Sequence, residues 1–331
     1  MIPAVPPPEY VAQPAQVVIS HPPPLRMGFH FAWAGSTENL KQENIAKGGL
    51  LLEGGPPKEN KNILNNSIGP QNQTIPSSLT QETVLCVKHW TDTLFSFLIS
   101  RPSALRFRSG EFIMLGLFDK TKPLLRAYSI TSPSWDETLE FYSIKVQEGP
   151  LTSRLQNIMP DDKILLGKKP TGTLILDALT PGENLYLFST GTGIAPFASL
   201  IHDPETFDKF RKVILTHTCR RVAELEYGQN LIASVKEDPL VGELVKDRLT
   251  YFTSVTQEEY SNVGRITNLM ESGEFYKNIG KENLTPNRDR VMICGSMEML
   301  KDVSAIVEEK GLAEGSNANL GEYVIEKGFV G

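Results

Sequence analysis

The chain has 331 residues, 40% of them hydrophobic and 22% charged, with 39 acidic against 33 basic residues and a net charge of −6. That length allows two domains with their own cores, and the acidic balance argues against a general binder of nucleic acid or of an anionic membrane, since both want a basic face. Three cysteines, Cys86, Cys219 and Cys294, cannot make a disulfide scaffold and show no metal-binding spacing, so no metal site is expected and the thiols read as reduced. The start MIPAVPPPEY has neither a basic n-region nor an apolar h-region, and no run reaches the 18 or so apolar residues of a membrane span. A cytoplasmic protein, off the membrane, is the expectation.

Residues 1–73 contain VPPPEYVAQP, SHPPPLR and GGLLLEGGPPKEN, in which proline and glycine interrupt any helix or ladder. Their five basic and five acidic residues balance. The composition predicts a disordered extension outside the reaction, with a docking arm as the alternative.

Residues 74–180 change texture to short strands: TVLCVKHW, TLFSFLIS, EFIMLGLF, LLRAYSIT, TLEFYSIKV, DKILLG and GTLILD. Their period-two alternation and aromatic or β-branched content, with only short turns between, predict an antiparallel β-barrel. Within it, RAYSIT places Arg126 and Tyr128 on one face of a strand, with Ala127 and Ser129 on the other. A guanidinium beside an aromatic ring suits a ligand with a phosphate at one end and a flat ring at the other. Lys145 and Val146 lead into EGPLTSRLQ, where Gly149 turns the chain and Leu151, Thr152 and Ser153 open a helix, a second place for a pyrophosphate.

From residue 181 to 331, strands alternate with helices, as in a parallel sheet covered on both faces. NLYLFST, KVILTHT, TYFTSVT and RVMICGS read as strands, and a helix begins at Met297, where Met297 and Met299 read as packing. STGTGIAPF sets a glycine turn between strand and helix, with Thr192, Gly193 and Pro196 at its exit. It can hold a phosphate or be merely a tight turn; it is neither G-x-G-x-x-G nor a P-loop. MICGSMEML, with Cys294 and Gly295, repeats the architecture, so two turns can bound one cleft at the carboxyl ends of the strands. Arg220 and Arg265 stand near strand ends, where a guanidinium could grip a terminal phosphate.

RAYSIT, IKVQEGPLTSRLQ, GKKPTGTL, STGTGIAPF, CGSMEMLKD and the tail EYVIEKGFVG, in that order, resemble the bacterial ferredoxin/flavodoxin–NADP+ reductases from about residue 80 to 331. The resemblance implies an antiparallel β-barrel FAD domain followed by an α/β parallel-sheet NADP-binding domain. It implies non-covalent FAD, NADP(H) as substrate, and ferredoxin or flavodoxin as partner of a monomer, with hydride transfer at flavin N5 and one-electron exchange with the carrier. Arg126 would grip the FAD pyrophosphate with Lys145, Val146, Gly149, Leu151, Thr152 and Ser153. Tyr128 would stack on the isoalloxazine, Ala127 would adjoin it, and Ser129 would lie near N5 as a catalytic residue. Thr192, Gly193, Pro196, Cys294, Gly295 and Met297 would line the nucleotide cleft. The tail would pair as a last strand and cover the flavin with Gly328 and Phe329, placing Glu326, the second catalytic residue, near the nicotinamide; the alternative for Glu326 is a solvated edge carboxylate.

Two departures stand out. Gly328 occupies the place of a terminal tyrosine in plant-type members and of an alanine in many bacterial ones, and Gln257 that of an arginine for the adenosine 2′-phosphate. NADP selectivity would then rest on Arg220 and Arg265. The rival readings are an NAD(P)H-dependent flavin or oxygenase-partner reductase and a catalytically silent flavin-binding module.

Overall fold

The structure, a computed structural model, describes residues 74–326, all of them within one compact unit. The expected extension of residues 1–73 and the expected flavin-covering residues Gly328 and Phe329 lie outside the described residues.

Six strands form the first sheet: β1 (Leu79–His89), β2 (Leu94–Ser100), β3 (Phe112–Asp119), β4 (Lys122–Ser129), β5 (Thr138–Ile144) and β6 (Lys163–Gly167). Their order is β4-β3-β6-β1-β2-β5, with every neighbouring pair antiparallel. Alternation in the sequence becomes a one-sided core, in which Phe95, Phe97, Ile99, Ile113, Leu115, Phe141 and Leu166 pack together. Phe97 stacks between Phe95 and Phe141 at centroid distances of 5.9 and 5.5 Å. Each such fully buried ring contributes about 1.5–3 kcal/mol through loss of water contact.

The second sheet is wholly parallel: β7 (Asn184–Thr190), β8 (Lys212–Cys219), β9 (Leu249–Val255), β10 (Asp289–Cys294) and β11 (Tyr323–Ile325), in the order β11-β10-β7-β8-β9. Both faces are covered, so its central strands β7, β8 and β10 are buried almost throughout, while the edge strand β9 is partly open. Leu185, Leu187 and Val213 face the helices Ala195–His202 and Glu226–Glu237. Tyr186, Phe188 and Ile293 face the opposite side, with Phe275 and the helix Met297–Glu309. The expected alternation of the tail holds across β11: Tyr323 and Ile325 join the second group and Val324 the first.

Strand order reverses between β7 and β10, because β8 and β9 extend the sheet on one side of β7 while β10 and β11 extend it on the other. The carboxyl ends of β7 and β10 therefore flank the topological switch point, where the crossover helices diverge and leave a crevice. The antiparallel sheet also meets a helix that covers the parallel one: Tyr142 of β5 stacks on Tyr227 of the helix Glu226–Glu237 at 3.9 Å and 9°, and Trp90 meets Tyr227 edge-on.

Two sequence expectations are corrected. GTLILD is not a strand; it bends at Gly172 and ends in a 3-10 turn, Leu176–Ala178. Its apolar run is a buried connector, with Leu174 and Leu176 packed into the core beneath the parallel sheet. Met297 does not pack: it is 54% exposed at the helix start, whereas Met299, Leu300, Val303 and Val307 fill the interior.

Candidate functional site

One cleft of about 820 Å3 runs between the sheets. Its first wall is the end of β4, where Arg126, Ala127, Tyr128 and Ser129 all line it, together with Val146, Gly149, Leu151 and Thr152 from the turn after β5. The cleft meets β4 at its terminus, so both faces of the strand reach it, not only the Arg126 and Tyr128 face. Tyr128 is anchored from behind: its ring lies edge-on to Phe97 and Phe141, and its hydroxyl is 3.3 Å from Ser143 Oγ. Burial raises the phenol, with Ser143 and Arg126 pulling the other way, so Tyr128 is a neutral ring at any ordinary pH. Arg126 is exposed and spends Nη1 on its neighbour's carbonyl, that of Leu125, at 2.8 Å.

The second wall is the switch point of the parallel sheet. The 3-10 turn Gly191–Ile194 follows β7 directly, and Pro196 sits in the first turn of the next helix, where its missing N–H costs nothing. Gly193 lies against the end of β10 so closely that a Cβ there would collide with the Cys294 carbonyl. Thr190 Oγ1 accepts from the Ser296 amide at 3.2 Å, which ties the two turns together. Ser296 caps its helix by accepting from the Met299 amide at 3.3 Å. Thr192, Gly193, Cys294 and Gly295 thus share one lip of the cleft.

Arg220 and Arg265 also line the cleft. Arg265 is 59% exposed and holds Glu298 Oε1 at 2.9 Å, a carboxylate that also lines the cleft. The backbone amide of Gln257 donates to the Arg220 carbonyl at 3.0 Å, which ties it to the same corner.

Lys145, Ser153, Pro196, Met297 and Glu326 lie outside the lining. Lys145 is a neighbour of His89, whose pKa it lowers alongside burial, and its amide donates to the Thr93 carbonyl at 2.7 Å. Glu326 is 6% exposed, which rules out the solvated-edge alternative. Its Oε2 accepts from the Thr173 amide at 3.0 Å and its amide donates to the Ile293 carbonyl at 3.3 Å, which sets it beside the carboxyl end of β10. Burial, reinforced by the Glu326 charge, pushes the Cys294 thiol well above its ordinary range. That thiol stays protonated.

Sequence reasoning missed Tyr142, Cys219, Glu298 and Asp302 in the lining. In the sequence Glu298 and Asp302 are two acids of the helix from Met297, and Tyr142 is one residue of a strand. Only the proximity of two sheets exposes either as part of a cleft.

Residues 187–305 match the family model described as the oxidoreductase NAD-binding domain. A flavodoxin/ferredoxin–NADP reductase of Rhodobacter capsulatus is 55% identical over 251 residues, 76% of this chain and 93% of that protein. A ferredoxin–NADP reductase of Pseudomonas aeruginosa is 49% identical over 255 residues, 77% of this chain and 99% of that protein. Among solved structures, a ferredoxin NADP+ reductase from Neisseria gonorrhoeae with bound FAD and NADP superposes with a TM-score of 0.69 at 32% identity, covering 77% of this chain and all of that one. With two walls meeting at a switch point and relatives of this identity along nearly their whole length, the chain belongs to the bacterial-type ferredoxin/flavodoxin–NADP+ reductases.

Proposed function

We propose that the cleft between the two sheets is where this FAD-dependent oxidoreductase links NADPH to ferredoxin or flavodoxin, FAD on the antiparallel wall and the nucleotide on the parallel one. The carrying observation is that Arg126, Tyr128, Ser129 and Thr152 face Thr192, Gly193, Cys294 and Gly295 across a single cleft. The donor set fits the cofactor: a guanidinium, two hydroxyls and a helix start on one wall, beside a neutral, rigidly backed aromatic ring.

Bound FAD would supply the exchange between two-electron nicotinamide chemistry and one-electron carrier chemistry. The residues bind and orient. Arg126 and Thr152 hold the pyrophosphate, Tyr128 backs the ring system, and Ser129 offers its hydroxyl at the ring edge. Thr192, Gly193 and Gly295 shape the nicotinamide side, while Arg220 and Arg265 address the 2′-phosphate of NADPH. Glu326, whose Oε2 accepts from the Thr173 amide at the same end of β10 as Cys294, orients the nicotinamide side from behind that residue. Water is kept from the buried end by the apolar packing of β10 and β11.

We further read the antiparallel sheet as a barrel that closes between its edge strands. The Thr131 amide donates to the Glu140 carbonyl at 3.0 Å, and the Tyr128 and Ser143 hydroxyls meet, both across the gap between β4 and β5. The three cysteines are free thiols, in keeping with a cytoplasmic monomer; among the described residues no helix is long and apolar enough to cross a membrane.

The test is reconstitution with FAD followed by NADPH-dependent reduction of ferredoxin and of flavodoxin. Tight FAD binding with turnover of either carrier supports the reading; FAD binding without carrier reduction refutes it.

A further inference from the structure

Beneath the Gly191–Ile194 turn lies a buried polar relay that the binding of nucleotide does not by itself require. His217, on β8, is fully buried, and both ring nitrogens are engaged: Nε2 is 3.0 Å from the Gly191 carbonyl oxygen and Nδ1 is 3.1 Å from the Tyr251 hydroxyl on β9. A carbonyl can only accept, so Nε2 carries the proton, Nδ1 bears the lone pair, and the Tyr251 O–H donates to it. The partners thereby fix the tautomer. Burial lowers the imidazole to about 4, so this neutral form persists through neutral pH. Cys219 Sγ lies 3.2 Å from the same Nε2, and burial pushes its thiol up to about 12, which keeps charge away from the relay.

The neighbouring helix makes room for this arrangement. A Cβ at Gly228, on the helix Glu226–Glu237, would collide with the Tyr251 hydroxyl and stand 2.8 Å from His217 Nδ1. Two strands and a helix therefore converge to place one imidazole under one carbonyl. That carbonyl belongs to Gly191, whose φ of +52° is left-handed and whose side toward the cleft has nothing within 4 Å of a would-be Cβ. A glycine so placed has several backbone conformations open to it.

We propose that His217 is a positioning residue: through the Tyr251–His217–Gly191 relay it holds the Gly191 carbonyl inward. In a planar trans peptide the carbonyl and the following N–H point in opposite directions. Drawing the carbonyl down onto His217 therefore aims the Thr192 N–H outward, into the cleft, as a fixed donor for an acceptor oxygen of the nucleotide. The relay spends its order before the ligand arrives, so binding need not freeze the turn. This inference rests on the reading of the Gly191–Ile194 turn as part of the nucleotide site.

The test is calorimetric titration of the FAD-loaded chain with NADP+. His217→Phe removes the donor, and the dissociation constant should rise roughly 3- to 10-fold, the weight of one ordinary hydrogen bond, with FAD content unchanged. His217→Gln can donate to Gly191 from its amide nitrogen and accept from Tyr251 at its oxygen, so it should recover most of the affinity, which a general loss of packing would not allow. Equal affinity in the wild type and His217→Phe overturns the proposal, as does an equal loss in the Phe and Gln variants. If His217→Phe does not fold, Tyr251→Phe decides: weaker NADP+ binding at full FAD content supports the relay, and unchanged binding overturns it. A wild-type chain that binds FAD but no NADP+ would instead refute the nucleotide reading itself.

Discussion

On its antiparallel side the cleft meets side chains, with Arg126, Tyr128 and Ser129 at the end of one strand, whereas on its parallel side two glycine turns, after β7 and β10, bring backbone to it beside the side chains of Arg220, Arg265 and Glu298. The first wall is made specific by what projects from it and is held by an apolar core, Phe97 and Phe141 behind Tyr128. The second is made specific by what ties its turns, the buried His217 beneath Gly191 and the Thr190–Ser296 contact between the two turns. A side-chain wall should lose its ligand one contact at a time. A backbone wall should fail through changes that never touch the ligand.

The largest expected break is on the backbone side and follows from pH. His217 has a folded pKa of about 4 against 6.5 for an unperturbed imidazole, so between those values the unfolded chain binds the extra proton and the folded chain does not. Its contribution is complete above pH 6.5 and is lost as pH falls toward 4, by about 3 kcal/mol on the 1.36 kcal/mol per unit scale. Asp136 and Glu140, whose carboxyls burial raises, act in the opposite sense over part of the range. The measurement is therefore the difference in urea unfolding between the wild type and His217→Gln from pH 7 to 4, expected to shrink on acidification; a constant difference would contradict the buried neutral imidazole.

Next is Gly193→Ala, whose methyl would run into the Cys294 carbonyl. Forcing the two turns apart should cost about 1–3 kcal/mol, the usual range for overpacking, and should lower NADP+ affinity while leaving FAD content intact. Thermal melting with parallel NADP+ titration checks both. On the side-chain wall, Arg126→Ala removes one exposed charge-assisted contact and should weaken FAD roughly 10-fold, with no change in melting of the apoprotein. An FAD titration of the apoprotein showing unchanged affinity would remove Arg126 from the pyrophosphate site.

The smallest effect is expected at Arg265. It is 59% exposed and already paired with Glu298, so a phosphate contact from it would be screened and would compete with a carboxylate. Arg265→Ala should reduce the NADPH-over-NADH preference in kcat/KM only a few-fold, on the order of an exposed ion pair, and Glu298→Gln should raise it. Equal losses for both nucleotides would make Arg265 structural.

How much of this was readable in the sequence follows the same division. Strands with period-two alternation, such as LFSFLIS, and the paired turns GTGIAP and CGSMEM, announce themselves locally, and with them the part of the cleft that the end of β4 and these turns line. GTLILD misleads because an apolar run reads as a strand whether it pairs with a neighbour or merely plugs a core; Gly172 and the Thr173 contact to Glu326 decide the matter, and that partner is 153 residues away. His217 is invisible for a related reason. In KVILTHTC it is one polar letter in a β-branched run, and its role depends on Gly191, Gly228 and Tyr251, which only the parallel sheet brings together. Met297 and Met299 look alike in sequence, but the start of the helix leaves the first in solvent and turns the second inward.

On the proposed reading one cleft couples a nucleotide at the turns of the parallel sheet to a flavin at the end of β4 and onward to a carrier protein. Anaerobic stopped-flow mixing of the FAD-loaded chain with NADPH, followed by ferredoxin or flavodoxin, tests it most directly. The flavin band should bleach on mixing with NADPH, faster than with NADH, and return when either oxidised carrier is added. A flavin band that NADPH leaves unbleached, or that neither carrier restores, would contradict it.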